Sequence, residues 1–292
     1  MSTFGPIEAG GRFGDLEIEA EIGAGAFGVV YRARDAVIGR LVALKVVRSL
    51  GAGALPAEER KRFLREARAL GALAHPNVAT LYHVHALEHG GWMLEMEYVE
   101  GTTLDAVLDG GRRLPVAEAV ALARDVGAGL RAAHAAHVVH GDVKPANVLR
   151  RKDGLVKLVD FGLARVLGTE SGRPSASKLS GTPHYMAPEV INGEGHVPAS
   201  DVWGLGALLY RALAGRLPFD APGIVPLFYA ILETAAPPLP EDVPAAVRLL
   251  EQHVGADLGR ARQRDRRHER IVARVEHQRR HRHPRQPRPG RG

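Results

Sequence analysis

Cysteine is absent from this sequence of 292 residues, which excludes disulfide bonds, thiolate metal sites and cysteine nucleophiles. Aromatic residues make up only 5% of the chain, although the hydrophobic content of 45% is that of an ordinary globular protein. No stretch approaches the ~18 uninterrupted apolar residues of a membrane helix. The N-terminus has neither the basic start nor the apolar run of a secretory signal. We therefore expect a soluble, cytoplasmic protein.

Residues 259–292 contain 13 Arg, but no Lys, Leu or aromatic residue. Such a tail cannot bury an apolar face. Three interpretations are open: a disordered basic arm, a divergent end of the folded domain, or out-of-frame translation of a GC-rich gene. We favour the third, because Arg, Pro, Gly, His and Gln without Lys are what shifted GC-rich codons tend to yield. Binding of nucleic acid through residues 259–292 is a less favoured expectation.

Apolar side chains alternate with polar ones from residue 16 to 48, and turns interrupt the alternation, which predicts three antiparallel strands. Residues 56–76 then place apolar side chains at helical spacing, and two further strands are expected in 78–87 and 92–99. Beyond Gly101 the pattern is mainly helical. A small strand-rich half is therefore expected before a larger helical half.

Three glycines, Gly23, Gly25 and Gly28, lie between the first two predicted strands in the segment IGAGAFGVVY. Glycine lets backbone N–H groups approach an anion closely, so the spacing is typical of a phosphate-binding loop. A dinucleotide-binding fold would need a helix after the loop, whereas a strand follows here. For this segment alone, a plain glycine-rich hairpin remains an open alternative.

Lys45 ends the segment VALK on the third predicted strand, and its neighbours in the sequence are apolar. A half-buried ammonium group needs an anionic partner. Glu66 is the candidate, because among the acids of the following helix only Glu66 lies between apolar positions such as Phe63 and Leu70.

The next two motifs, HGDVKPAN and LVDFGLA, contain four polar residues suited to phosphoryl transfer. Phosphoryl transfer needs a carboxylate to orient the attacking hydroxyl, a cation on the γ-phosphate and metal ions that neutralise charge. Asp142 suits the hydroxyl and Lys144 suits the γ-phosphate. Asn147 and Asp160 supply the oxygen ligands that Mg²⁺ prefers, and they are the predicted metal ligands.

In this order the motifs resemble those of the eukaryotic-type (Hanks-type) serine/threonine protein kinases, in their bacterial form, over roughly residues 12–255. The matching segments are IGAGAFGVVY, VALK, REARAL, HGDVKPAN, DFG and GTPHYMAPE. The resemblance implies a two-lobed α+β protein-kinase fold, with a five-stranded antiparallel N-lobe that carries one main helix and a mainly helical C-lobe. The implied divisions are an extension at 1–11, a kinase domain at 12–258 with lobes at 12–98 and 99–258, and the tail at 259–292.

The resemblance also implies roles for individual residues. Lys45 would hold the α- and β-phosphates and pair with Glu66, and Asp142 would be the catalytic base. Lys144 together with Thr182 is the serine/threonine pattern. ATP would bind with Mg²⁺, for which Mn²⁺ could substitute, and the substrates would be Ser and Thr hydroxyls of proteins. The implied ATP-binding positions are Ile22, Gly23, Ala24, Gly25, Ala26, Phe27, Gly28, Val29, Val30, Ala43, Lys45, Met96, Glu97, Val99 and Leu149.

Supporting residues are implied in the same way. Asp201 would anchor the catalytic loop from below. Phe161 and His140 would stack with Leu70 and Leu81 and so set the register of the two lobes.

Two positions depart from the family pattern. Most members carry Arg where this chain has Gly141, and that Arg grips a phosphate on the activation loop, which Gly cannot do. Either phosphorylation within residues 163–182 is less needed here, or another cation such as Arg165 takes over. The Arg that normally pairs with Glu189 is also missing from its expected place, so we expect Glu189 to lack that Arg partner. A catalytically impaired scaffold that binds nucleotide or partners is therefore the alternative function.

Overall fold

The computed structural model describes residues 8–25, 28–47, 57–87, 91–163 and 183–248. Within them, the predicted strand-rich half, which ends at residue 97, forms an antiparallel sheet with the strand order β1-β2-β3-β4-β6-β5. The strands are β1 Arg12–Phe13, β2 Leu16–Gly25, β3 Gly28–Asp35, β4 Leu41–Val47, β5 Leu81–Ala86 and β6 Trp92–Glu97. The sheet has one strand more than the predicted five, because the short β1 pairs with the start of β2.

One helix, α1 Ala57–Gly71, connects β4 to β5. Its buried side chains are Phe63, Ala67 and Leu70, which recur at the helical spacing seen in the sequence. Acidic residues in its first turn and Arg68 in its last turn complement the helix dipole. The predicted main helix of the strand-rich half is therefore confirmed.

The second half is mainly helical and carries a small antiparallel sheet in the order β7-β8-β9. Its strands are β7 Gly101–Thr103, β8 Val148–Arg151 and β9 Val156–Leu158. Its helices are α2 Leu104–Val107, α3 Val116–Ala135, α4 Pro188–Ile191, α5 Pro198–Ala214 and α6 Ile224–Glu233. Helix α3 packs against both α5 and β9. Among the described residues no helix combines the length and the apolar character needed to span a bilayer.

One apolar cluster runs through both halves. Leu70 of α1 and Leu81 of β5 belong to the same buried cluster as Leu130 of α3, Leu158 of β9 and Leu208 of α5. The described residues from 8 to 244 form one compact unit, in agreement with this shared core. The tail at 259–292 lies outside the described residues.

Candidate active site

Residues 140–147 lie between α3 and β8 and end in a 3₁₀ turn, Pro145–Asn147. One carboxylate oxygen of Asp142, Oδ2, lies 2.7 Å from Lys144 Nζ and accepts a 2.9 Å hydrogen bond from Asn147 Nδ2. The same amide donates to the main-chain oxygen of Asp142 at 2.8 Å. The three side chains predicted from the HGDVKPAN motif are therefore in direct contact, and Oδ1 of Asp142 has no donor among the described residues.

Asp201 holds this loop from the other side. Its carboxylate accepts the main-chain N–H groups of His140 at 2.8 Å and Gly141 at 2.7 Å. His134 Nε2 lies 2.7 Å from the same carboxylate. Asp201 is only 1% exposed, so its charge is stabilised by these donors instead of by water. The anchoring role implied for Asp201 is confirmed.

Gly141 adopts a positive φ of 73° where its N–H meets Asp201. A residue with a side chain is strained in this left-handed region, whereas Gly is not. Glycine at the position that carries Arg in most family members therefore suits the local backbone, whatever its effect on regulation.

His140 links the loop to the segment that carries Asp160. Burial lowers the pKa of His140 below its ordinary value, although the charges of Asp201 and Asp142 oppose the shift. The imidazole is therefore neutral at pH 7, with Nε2 donating to the carbonyl of Val159 at 3.0 Å and Nδ1 accepting the N–H of Asp142 at 3.2 Å. These two bonds fix the tautomer.

Phe161 packs against the same imidazole, with ring centroids 4.5 Å apart and ring planes tilted by 45°. Leu70 and Leu81 belong to the buried cluster that includes Phe161. Phe161 thus lies beside His140 as the resemblance implies, although the two rings are tilted and not stacked. Phe161 also belongs to the same buried cluster as Leu70 of helix α1.

Lys45 is buried in β4, and its ammonium group contacts Oδ1 of Asp160. Asp160 has a positive φ of 62°, a strained conformation for a residue other than Gly. The predicted contact of Lys45 with Glu66 is not present. Glu66 Oε1 instead accepts a 3.1 Å hydrogen bond from Arg62 Nε, because Arg62 lies one turn earlier on the same helix face.

Main-chain hydrogen bonds hold the loop of Asp142 and the segment of Asp160 together. Val159 N donates to Asn147 O at 3.0 Å, and Gly162 N donates to His140 O at 2.9 Å. With the His140–Val159 bond, these contacts fix the residues on both sides of Asp160 against the loop of Asp142. The carboxylates predicted for base and metal ligand thus belong to one site, together with the ammonium group of Lys45.

The glycine loop is partly described. Gly25 pairs with Gly28 across β2 and β3, and Gly28 has a φ of 139°. A Cβ atom on Gly28 would lie 1.8 Å from the carbonyl oxygen of Val46, so β3 and β4 approach each other closely there. A Cβ atom on Gly23 or Gly25 would meet no atom of the described residues within 4 Å.

The positions implied for the adenine lie on neighbouring strands. Ala43 is opposite Met96 in the pairing of β4 with β6, and Val30 is opposite Lys45 in the pairing of β3 with β4. Val99 is buried, whereas Ile22 is exposed. Leu149 lies on β8, Ala24 pairs with Val29 across the loop strands, and Glu97 ends β6. The predicted positions Ala26, Phe27 and Thr182 lie outside the described residues.

Two supporting residues were not anticipated. His134 holds Asp201, and Lys157 is a buried lysine of β9 that forms an ion pair with Glu97. Lys157 stands in the sequence LVKLV, with apolar neighbours on both sides, as Lys45 does in VALKVV. The pattern that singled out Lys45 could therefore have found Lys157 as well.

Glu189 has a partner. Ser200 Oγ donates a 2.7 Å hydrogen bond to Glu189 Oε1, and the same hydroxyl accepts the N–H of Val197 at 3.2 Å. The carboxylate of Glu189 thus has a neutral partner from the first turn of α5. The expected position of its Arg partner lies outside the described residues, so the loss of that ion pair stays a prediction.

Most of this chain is similar in sequence to known proteins. Residues 16–239 match the family described as "Protein kinase domain". The chain is 36% identical over 245 residues to "Serine/threonine-protein kinase PknA" of Mycobacterium tuberculosis, covering 81% of this chain and 55% of that protein. It is 35% identical over 257 residues to "Serine/threonine-protein kinase PknK" of the same species, covering 85% of this chain and 22% of that protein.

A third relative is "Serine/threonine-protein kinase pkn3" of Myxococcus xanthus, which is 34% identical over 230 residues. That match covers 76% of this chain and 41% of the relative. The chain thus spans about half or less of the length of these relatives.

Proposed function

The chain belongs to the protein kinase family, and from that membership we propose that it transfers the γ-phosphate of ATP to Ser and Thr hydroxyls of proteins, including its own. The observation that carries the proposal is the convergence of Asp142, Lys144 and Asn147 with Lys45 and Asp160. Phosphoryl transfer depends on positioning and charge stabilisation, and these groups supply both.

Asp142 is proposed to orient the attacking hydroxyl. Lys144 and Asn147 both bond Oδ2 of its carboxylate, so the charge of the carboxylate is fixed in place while Oδ1 can accept a proton from the substrate. Lys144 Nζ, with three donors, can contact the γ-phosphate while it keeps its bond to Asp142. Both side chains are only partly buried, which lets a protein substrate reach them.

Protein kinases use ATP and a divalent metal, and we propose Mg²⁺ here, with Mn²⁺ as a substitute. The donors fit a hard cation, because the carboxylate of Asp160 and the amide oxygen of Asn147 are oxygen ligands. Among the described residues no donor bonds Asn147 Oδ1, since the amide nitrogen makes both hydrogen bonds to Asp142. A bound metal neutralises negative charge on the phosphates.

Lys45 is proposed to hold the α- and β-phosphates. Its ammonium group contacts Asp160 in the structure, and a metal bound to Asp160 would compete for the same carboxylate. Glu66 is then the carboxylate left to receive Lys45, since its bond to Arg62 joins two side chains that are largely or partly exposed to solvent and is weak. The predicted pair of Lys45 and Glu66 is therefore proposed for the nucleotide-bound state.

The nucleotide is proposed to lie between the glycine loop and β8, at the ATP-binding positions implied by the resemblance. Open space at the Cβ positions of Gly23 and Gly25 supports close approach of phosphate to the loop backbone. Thr182 and Lys144 support a preference for Ser and Thr, as do the names of the relatives.

The test compares the full chain with an Asp142→Asn variant. We expect both to show a thermal shift with Mg-ATP, whereas autophosphorylation and transfer to a generic Ser/Thr protein substrate fall by at least about 10²-fold in the variant. Binding of Mg-ATP without transfer in the unaltered chain would support the alternative, a nucleotide-binding scaffold. Equal transfer by both chains would contradict the role of Asp142.

A further inference from the structure

Lys157 carries a charge in the interior, between the two halves of the molecule. It is only 7% exposed, and its neighbours Val156 and Leu158 turn to the apolar cluster. Side chains of a strand alternate between its faces, so Lys157 leaves β9 on the other side. There Nζ donates to Glu97 Oε2 at 2.9 Å and to the carbonyl of Val78 at 3.3 Å.

Glu97 is the last residue of β6, where the chain passes from the first half to the second. Its Oε2 atom accepts the N–H of Thr80 at 3.2 Å as well as the ammonium group of Lys157. Its own N–H donates to the carbonyl of Thr80 at 2.8 Å. Both the side chain and the backbone of Glu97 are therefore fixed by groups from outside β6.

Strand β9, which carries Lys157 and leads to Asp160, is bonded to a neighbouring segment of the chain. The segment before β5 is bonded to β9 along its length, because Asn77 Nδ2 donates to Val156 O at 2.8 Å and Leu158 N donates to Asn77 O at 2.9 Å. Ala79 N adds a 2.9 Å bond to Leu158 O. The ion pair thus joins the crossing between the halves to β9, the strand that ends two residues before Asp160.

We propose that Lys157 is a positioning residue for nucleotide binding. The Lys157–Glu97 pair, here called the clasp, fixes the backbone of Glu97 and the following residues relative to the strand that leads to Asp160. This inference rests on the proposed function, because Glu97 and Val99 are among the ATP-binding positions that the resemblance implies.

The physical basis is the burial of the Lys157 charge and the partial burial of the Glu97 carboxylate, whose side chains are 8% and 20% exposed. Removing one partner of a buried ion pair leaves the other charge without compensation, which is strongly unfavourable. Without Lys157, the carboxylate of Glu97 is expected to turn towards solvent and to move the backbone that carries it. If the binding-competent conformation then falls to about a tenth of the population, the apparent affinity for nucleotide falls about tenfold.

A purely structural ion pair makes a different prediction. It would lower the stability of the fold in the absence of nucleotide but leave the affinity of the folded protein unchanged. The two accounts are separated by measuring nucleotide affinity on folded protein, together with the separate effects on KM for ATP and on kcat.

The experiment uses the full chain and its Lys157→Met variant, which keeps an unbranched side chain but removes the charge. Lys152→Met is the matched control, because Lys152 bonds Glu100, three residues after Glu97, at 2.8 Å, yet the two side chains are 85% and 69% exposed. We expect Lys157→Met to weaken binding of Mg-ATP by about tenfold and to raise KM more than it lowers kcat. Lys152→Met should bind as the unaltered chain does.

Two further variants keep the test decisive if Lys157→Met does not fold. Glu97→Gln keeps the shape of the side chain and should also weaken Mg-ATP binding, whereas Lys157→Arg should restore most of the affinity. Affinity equal to that of the unaltered chain in folded Lys157→Met or in Glu97→Gln would overturn the inference and leave the proposed function intact. Failure of the unaltered chain to bind Mg-ATP would overturn both.

Discussion

Replacement of Asp201 by Asn tests how the catalytic loop is held. The carboxylate accepts three donors, the N–H groups of His140 at 2.8 Å and Gly141 at 2.7 Å and the imidazole of His134 at 2.7 Å. An amide has only one acceptor oxygen, and its NH₂ group would face a donor. At least one buried donor then loses its partner, which costs about 1–3 kcal/mol, and the lost charge weakens the remaining bonds. We expect the free energy of unfolding to fall by about 2–4 kcal/mol.

The assay is urea unfolding followed by fluorescence, with phosphoryl transfer measured on the same preparations. Asp105→Asn is the matched control, because Asp105 is an acceptor of a single 3.1 Å bond from Arg211 and its side chain is 53% exposed. That variant should lose no more than about 1 kcal/mol. Equal unfolding midpoints for the two variants would refute the reasoning, since the burial of Asp201 would then have no energetic effect.

Two other changes have definite expected results. Gly28→Ala should destabilise the protein by about 2–3 kcal/mol in thermal unfolding, because φ is 139° and the new Cβ would lie 1.8 Å from Val46 O. Gly25→Ala should stay within about 0.5 kcal/mol, because no atom of the described residues lies within 4 Å of the new Cβ, and similar losses for both would contradict the backbone argument. Burial lowers the pKa of His85, so its neutral form is favoured in the folded state and stability should decline as pH falls below about 6.5. His85→Gln should flatten this decline in unfolding measured from pH 8 to 5.5, and an unchanged slope would count against that assignment.

Local spacing in the sequence was sufficient to predict which side chains meet in the catalytic loop. Asp142, Lys144 and Asn147 lie within six consecutive positions, so any compact turn brings their side chains together. The alternation of β2 to β4 and the helical spacing of α1 were likewise informative, because burial of one face imposes these periods on the sequence.

Contacts between distant segments were harder to predict from the sequence. The ion pair of Lys45 with Asp160 joins residues 115 positions apart, and the choice between Asp160 and Glu66 depends on how α1 is placed and on Arg62 nearby. The clasp of Lys157 with Glu97 and the bond from Ser200 to Glu189 also depend on tertiary packing. In each case the residue type indicated a need for a partner, but the partner could be identified only from the fold.

In the proposed function, Lys45 binds the phosphates and Asp160 binds the metal of one and the same nucleotide. The most direct test is the affinity for ATP with and without Mg²⁺, measured by calorimetry for the unaltered chain and for Asp160→Asn. In the unaltered chain Mg²⁺ should strengthen binding severalfold or more. In Asp160→Asn this gain should be largely lost, while metal-free ATP binds at least as well, because Lys45 is released from its carboxylate partner. The same gain from Mg²⁺ in both chains would contradict the account.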